Sequence, residues 1–400
     1  MQQLISKNKN INIELLFILA YIFGLMIFGV GTRSMELVRL SLICAAVIYI
    51  LMTGRVKVNM FLLWMLFYVL YVCLSSTWSG YGYYAVVGRK TVMMTFIVFF
   101  SFFQLAEKRS DWLMPTFKLF ATLPILGFLL FVLENGSGAL FDMRAVSNDQ
   151  MYNFIGQNAG NAIAFCLICF IREKNKTVKR FFWIPVMLIN LYIVYVSGSR
   201  KSLLYMMVPV LFLIVFASNK RKRILRNLSI VVCILIIGYL ALRYTNLANT
   251  KIGVIFNNLY GAVFEDGYDV SATGRIEMIE YSFDMFKENP IFGKGIGTIE
   301  GVMRVNLDQE HPITDCDYTS ILVDLGMVGL VLFYSMHAIL LLKIIKYFKY
   351  FNLEHIILAG FLIMLIINGF ICRMYFNNNR IFIYLFIIWT EVENVKKVRV

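Results

Sequence analysis

Apolar stretches recur along the whole chain, and they limit what it can fold into more than any other feature. Each is about 20 residues long, enough to cross the ~30 Å hydrocarbon core of a bilayer as a helix. Hydrophobic residues make up 60% of the 400 residues, and the mean hydropathy is +0.72. Because a helix satisfies its backbone hydrogen bonds internally, the pattern predicts an all-α integral membrane protein.

We predict about 12 transmembrane helices within one polytopic membrane domain over residues 1–400. The first stretch follows Lys7 and Lys9 and precedes no small-residue cleavage site, so it is interpreted as a retained span and not a signal peptide. The predicted spans are 14–31, 37–53, 59–76, 91–106, 116–133, 156–171, 181–197, 202–218, 228–244, 318–342, 355–372 and 380–391.

The net charge of +14 invites comparison with nucleic-acid-binding proteins, but its distribution indicates membrane orientation. The densest basic clusters, 172–180 and 220–226, fall on the same side as the N-terminus if the spans alternate. Cytoplasmic loops carry such an excess of Lys and Arg. We therefore predict that both termini are cytoplasmic, and we expect no nucleic-acid partner.

Residues 245–317 form the long polar interruption of the apolar pattern, and the alternation of spans makes this segment an extracytoplasmic loop. Residues 273–290 within it have an amphipathic pattern, with Thr273 as N-cap and Asn289-Pro290 as the stop. The helix is too short to cross the bilayer, so it is expected to lie along the outer surface. Its predicted apolar residues are Ile276, Ile279, Phe283 and Phe286.

Several cations fall on the predicted outer side, where basic residues are uncommon. Arg200 and Lys201 occupy a short turn at the start of a helix, and Arg275 lies in the first turn of the amphipathic helix. A cation opposes the helix dipole there, so these positions favour a bound anion such as phosphate. Arg89 follows an aromatic cluster typical of the bilayer interface, and it either belongs to that interface or contacts an anion.

Other polar candidates lie at the same side. Asn158 stands at a helix entrance, where its amide either caps the helix or binds sugar hydroxyls. His311, Asp315, Asp317 and Tyr318 end the long loop. The two aspartates have the D-x-D form that holds a metal in nucleotide-sugar glycosyltransferases, but such sugar donors are cytoplasmic. We therefore expect neither a metal ion nor a cofactor.

Two patterns carry weaker signals. Residues 291–297 alternate glycines around a lysine, but no strand precedes them, so a turn is favoured over a phosphate loop. Cys166 and Cys169 form a C-x2-C pair without a second pair of ligands, which favours buried apolar residues. Cys316 and Cys372 both fall at the predicted outer face, where a disulfide between them stays open.

These pieces together resemble the O-antigen ligase / O-antigen polymerase superfamily. Arg200 followed by Leu204 matches the family's arginine and leucine. The resemblance is also carried by Thr273-Gly-Arg275 through Gly295 and by Tyr318 through Gly329, and less specifically by Trp78-Ser79 and Gln157-Asn158.

The resemblance implies a fold similar to the GT-C glycosyltransferases, in the cytoplasmic membrane of a bacterium. It implies that Arg200 and Arg275 bind the diphosphate of an undecaprenyl-linked glycan. The family's base is a histidine eleven residues before the first glycine of the G-x-x-G motif. Asp315 stands there in this chain and His311 lies four residues upstream, so either is the candidate base.

The implied reaction is metal-independent, inverting polymerisation of undecaprenyl-diphosphate-linked oligosaccharide repeat units into a surface polysaccharide. The partners would be that lipid-linked oligosaccharide, an acceptor glycan and the bilayer, with a flippase and a chain-length regulator as protein partners. An alternative is a ligase that transfers the glycan to a lipid or wall acceptor. A flippase for lipid-linked oligosaccharides is a different class; it would need charges deep in several spans, and these are not seen.

Overall fold

The computed structural model of the chain describes residues 13–27, 33–107, 111–146, 151–218, 221–244, 270–306, 316–370 and 379–397. Only the backbone is described for residues 270–276 and for a few others near segment ends and in the helix at 221–244. His311, Asp315 and Cys372 lie outside the described residues.

The described residues form helices joined by short connections, and no strand occurs among them. The long helices, in chain order, are α1 (Ile13–Ile27), α2 (Arg33–Thr53), α3 (Met60–Ser75), α4 (Gly82–Ala106), α5 (Leu113–Asn135), α6 (Met151–Arg172), α7 (Ile184–Ser197), α8 (Arg200–Phe216), α9 (Arg221–Tyr244), α10 (Val270–Glu288), α11 (Asp317–Tyr347), α12 (Leu353–Asn368) and α13 (Asn379–Lys397).

The chain is an all-α integral membrane protein, as predicted. In the described part, 6 helices are long and apolar enough to cross a membrane, and α1, α3 and α12 are shorter apolar helices. Each predicted span overlaps one of the helices. The number of spans itself stays a prediction.

Contacts between helix termini define two ends of the helical bundle. At the first, which we call the loop end, the Asp317 amide at the start of α11 donates to the Gly369 carbonyl just after α12, at 2.7 Å. At the second, the charged end, Arg172 at the end of α6 pairs with Glu354 on α12 and with Glu391 on α13. Helices α11, α12 and α13 therefore run in alternating directions between these two ends.

The core of the bundle is aromatic, and α13 lies inside it. Residues 381–389 of α13 are all buried. Phe386 stacks on Trp112 with a ring distance of 5.6 Å and lies 5.3 Å from Phe103. The last predicted span, 380–391, is short for a membrane crossing, whereas the helix that contains it, α13, has 19 residues. A helix that is apolar on every side is suited to a buried position.

The amphipathic helix α10 differs from its prediction in start and in orientation. It begins at Val270, three residues before the predicted cap Thr273. Phe283, one of the predicted apolar residues, is 44% exposed, whereas Ser282 and Met285 are buried. Met285 packs with residues 299–303 and with Val323 of α11. Because apolar side chains lie on more than one side of α10, the shape of this surface selects the buried face.

Candidate functional site

The turn between α7 and α8 places Arg200 and Lys201 at the first two positions of α8, as the sequence predicts. Gly198 ends α7 in the left-handed region with φ of 60°, and Ser199 is the extended N-cap residue of α8. Both cations are partly buried. The positive end of α8 and two cations thus converge at the loop end.

Two buried serines accompany these cations. Ser199 is 4% exposed and Ser202 is fully buried, and their Oγ atoms have no hydrogen-bond partner among the described residues. Buried polar atoms are nearly always paired in folded proteins. The first turn of α8 therefore offers positive charge together with unused hydroxyl groups.

Helix α6 lies unusually close to this turn because it has glycine where the helices cross. A Cβ atom on Gly156 would stand 2.4 Å from Ser197 Oγ, and one on Gly160 would stand 2.5 Å from the Ser202 carbonyl oxygen. Small residues four apart allow such a close approach. Gln157, between these two glycines, lines a small cavity together with Tyr205 of α8.

Asn158 is 2% exposed and does not act as a helix cap, since α6 begins at Met151. Its Oδ1 accepts a hydrogen bond from Arg380 Nη1 at 2.7 Å. The guanidinium of Arg380 also lies over the Phe154 ring, 4.5 Å from its centre. Asn158 therefore positions a cation of α13.

Arg380 is a further candidate residue, which the sequence alone did not single out. It follows three asparagines and occupies the first turn of α13 at the loop end. A cation in the first turn of an apolar helix is the same signal that pointed to Arg200, so the sequence did carry it. Below Arg380 lies a small cavity between α6, α8, α12 and α13, lined by Gln157, Asn161, Tyr205, Leu365, Arg380, Ile381 and Tyr384.

The glycine segment, residues 291–297, is a turn that returns the chain to the bundle. Gly293, Gly295 and Gly297 have positive φ angles of 70°, 93° and 81°. The Lys294 amide donates to the Val323 carbonyl at 2.8 Å, and the Gly295 amide donates to the Asp324 carbonyl at 2.9 Å. Because these N–H groups are used inside the protein, the segment does not present them to a phosphate.

Asp324 has a structural task in the same place. Its carboxylate is fully buried and accepts hydrogen bonds from the Gly297 amide at 3.0 Å and the Ile299 amide at 2.9 Å. Two residues later, Gly326 interrupts α11 with a φ of 66°. A Cβ atom there would stand 2.4 Å from the Ile291 carbonyl oxygen. The G-x-x-G motif thus seats the glycine segment against α11.

Asp317 and Tyr318 are built into the packing at the start of α11. Asp317 is 1% exposed. The Tyr318 hydroxyl donates to the Ile366 carbonyl at 2.9 Å, and its ring stacks on Tyr334 at 4.7 Å. Cys316 is buried, and Cys372, with which a disulfide was left open, lies outside the described residues. His311 and Asp315 precede this start in the sequence but lie outside the described residues.

Two further candidates, Arg89 and Arg275, differ from their predicted positions. Arg89 lies inside α4, which begins at Gly82, and not in a connecting loop as expected. Its neighbour Gly88 faces Ile296, so Arg89 stands near the glycine segment and not at the α7–α8 turn. Arg275 is the sixth residue of α10 because that helix starts early, which corrects the expected first-turn position.

A family comparison covers the elements that hold most of these residues. The model of the O-antigen ligase family matches residues 185–334. These residues belong to the O-antigen ligase family. The match, less than half of the chain, runs from α7 to Tyr334 of α11 and supports an O-antigen ligase or polymerase type of function in general. No curated protein matches the chain.

The O-antigen ligase domain contains the α7–α8 turn, helix α10, the glycine segment and the Gly326 break. Asn158 and Arg380 lie outside it, on helices that flank the domain at the loop end. The site is therefore shared between the matched domain and the rest of the bundle.

Proposed function

We propose that this protein polymerises undecaprenyl-diphosphate-linked oligosaccharide repeat units into a capsule, O-antigen or other surface polysaccharide. The carrying observation is the first turn of α8, inside the O-antigen ligase domain. Arg200 and Lys201 stand there at the positive end of the helix, beside two buried serine hydroxyls without partners among the described residues. Such an arrangement suits a multiply charged phosphate ligand.

The reaction places negative charge on the lipid diphosphate as it leaves the sugar. The acceptor hydroxyl oxygen bonds to the anomeric carbon while the bond from that carbon to the diphosphate oxygen breaks. The diphosphate departs with the electron pair. Arg200, together with Arg275 of α10, stabilises that charge without a metal ion, because guanidinium groups pair well with phosphate oxygens.

The acceptor hydroxyl must lose its proton as it attacks. His311 or Asp315 takes this proton as general base. Both precede Cys316, where the chain enters the anchored start of α11. Direct attack opposite the departing diphosphate inverts the anomeric centre.

The loop end faces outward from the bacterial cytoplasmic membrane in this proposal. The basic clusters of 172–180 and 220–226 then lie in the cytoplasm with both termini. A flippase would deliver the lipid-linked unit to this face, and a chain-length regulator would limit its elongation.

Complementation of a deletion strain tests the phosphate-binding role. Arg200→Ala and Arg275→Ala are expected to abolish the polymer while the membrane level of the protein is unchanged. Arg144→Ala is the matched control, since Arg144 is an exposed arginine between α5 and α6. Polymer of normal amount and length from both site variants would contradict the mechanism.

A ligase is the second candidate, because the matching family is described by that activity. Asp315 at the position of the family's histidine favours the polymerase. The deletion strain separates the two functions by its glycans. Single repeat units on the normal anchor indicate a lost polymerase, whereas long lipid-linked chains that never reach the anchor indicate a lost ligase.

A further inference from the structure

Helix α3 contacts the glycine segment through two side chains that stand one helical turn apart. The Tyr71 hydroxyl donates to the Leu325 carbonyl at 2.7 Å, and the Phe292 carbonyl lies 3.2 Å from the same hydroxyl oxygen. Ser75 Oγ accepts a hydrogen bond from the Ile296 amide at 3.3 Å. Because residues four apart lie on the same side of a helix, one face of α3 holds both contacts.

The Tyr71 hydroxyl stands where two parts of the chain meet at the Gly326 break. Leu325 precedes the break in α11, and Phe292 belongs to the glycine segment. Backbone hydrogen bonds also join these two parts, but Tyr71 comes from a third element. Tyr71 lies outside the O-antigen ligase domain, so the rest of the bundle supplies this contact to the domain.

The glycine segment in turn determines where α10 lies. Helix α10 ends at Glu288, and the chain continues directly into the segment. Arg275 lies thirteen residues before Glu288, which is about 20 Å along a helix axis. A rotation of α10 by about 10° at this end would displace Arg275 by about 3 Å. Because a misplacement of about 1 Å can cost about 10²-fold in rate, a restraint here affects catalysis at a distance.

We propose that Tyr71 is a positioning residue, whose hydroxyl holds the glycine segment against α11 and thereby keeps Arg275 at the diphosphate. This inference rests on the proposed function, because it takes Arg275 as a group that stabilises the leaving diphosphate. The negative charge on the diphosphate grows as its bond to the sugar breaks. A displaced Arg275 therefore slows the reaction more than it weakens binding of the donor, which Arg200 of α8 also contacts in the proposal.

Steady-state kinetics of the purified protein in lipid nanodiscs test this role. The substrate is the lipid-linked repeat unit extracted from the deletion strain, and the signal is release of undecaprenyl diphosphate. Tyr71→Phe keeps the ring and removes only the hydroxyl, and it is expected to lower kcat by about tenfold or more, with KM within about twofold of wild type. Ser75→Ala should lower kcat in the same direction. Tyr83→Phe is the matched control and should change neither value, because Tyr83 is 74% exposed.

Hydrogen exchange of the same proteins, followed by mass spectrometry, gives a second readout that does not depend on activity. In Tyr71→Phe, the amides of the glycine segment should exchange about fivefold faster than in wild type, as for loss of one hydrogen bond. Exchange at the charged end should stay unchanged. Faster exchange throughout the bundle with a lower melting temperature would show a general structural role and would overturn the positioning role.

Two further kinetic results overturn the positioning role while the proposed function stands. In one, Tyr71→Phe has the same kcat as Tyr83→Phe; in the other, its KM rises by as large a factor as its kcat falls. Wild-type protein that binds the repeat unit but releases no undecaprenyl diphosphate overturns the proposed function and this inference together.

Discussion

At the scale of single residues, Arg200 stands where stability alone would not place it. A cation in the first turn of a helix opposes the helix dipole by about 0.3–1 kcal/mol, and Lys201 adds a second. Ser199 and Ser202 add buried hydroxyls without partners among the described residues. A phosphate ligand would offset the charge of the cations and accept hydrogen bonds from the serine hydroxyls. The free energy of this turn is therefore lower with the ligand bound.

The first prediction compares two substitutions of Arg200. Arg200→Lys keeps the charge but loses the two-pronged hydrogen bonding to phosphate, so kcat/KM for the lipid-linked donor should fall by about tenfold or more. Arg200→Ala should reduce kcat/KM further, because it removes the positive charge as well as the hydrogen bonding. A wild-type kcat/KM for Arg200→Lys would contradict this prediction, because it would show that a positive charge at this position is sufficient without the two-pronged hydrogen bonding.

Single residues also show which parts of the site can be predicted from the sequence and which cannot. Arg200 and Lys201 could be placed at a helix start because the turn is short and the flanking apolar runs are long. The hydrogen bond from Arg380 to Asn158 joins residues separated by 222 positions, and no local pattern encodes which helices meet. The role of Asp324, a carboxylate within an apolar run, likewise cannot be predicted from the sequence, and its bonds to backbone amides show that the role is structural.

At the scale of elements, the glycine segment and the Gly326 break form one joint. The Met327 amide donates to the Pro290 carbonyl at 2.9 Å, and the Val328 amide to the Ile291 carbonyl at 3.1 Å. The break in α11 frees these amides for the partner segment. The joint links α10, which carries Arg275, to α11, whose start follows the candidate base.

The second prediction concerns this joint. Gly326→Ala should lower stability by more than about 1 kcal/mol, because alanine is strained at positive φ and its Cβ would meet the Ile291 carbonyl. Gly80→Ala is the control, since nothing lies within 4 Å of a Cβ there and its φ is ordinary. Thermal unfolding in detergent measures both. Equal melting temperatures for Gly326→Ala and wild type would contradict the assigned strain.

Helix α10 shows what a periodic pattern does and does not determine. Its 3.6-residue spacing predicted a helix because the backbone geometry fixes that period. The buried face could not be predicted in the same way, since Phe283 and Met285 are both apolar and only one of them meets α11. Near a membrane, burial in protein and contact with lipid favour the same residue types.

At the scale of the whole molecule, the charged end holds the bundle together opposite the site. Arg172 pairs with Glu354 and with Glu391, at 2.8 Å for the second, and thereby joins α6, α12 and α13. Lys343 of α11 pairs with Glu393 at 2.5 Å and lies 3.4 Å from the Trp389 ring centre. These pairs therefore fix the end of α13 opposite to Arg380, which lies in its first turn.

The third prediction tests this ionic cluster. Arg172→Met leaves Glu391, only 5% exposed, without its cation. Removal of one partner of a buried pair costs about 3–5 kcal/mol, and the partial exposure of Arg172 places the expected loss near the lower limit. Lys287→Met at the exposed Asp284 pair is the control and should change stability by about 1 kcal/mol or less. A melting temperature for Arg172→Met as high as for Lys287→Met would show that the cluster is dispensable.

The proposed function requires this single chain to lengthen a lipid-linked glycan. Incubation of the purified protein in nanodiscs with the lipid-linked repeat unit from the deletion strain measures this, with products separated by length. We expect a ladder of longer lipid-linked glycans, one undecaprenyl diphosphate released for each added unit, and neither product from Arg200→Ala. Unchanged single units, with wild-type protein that binds the repeat unit normally, would contradict it.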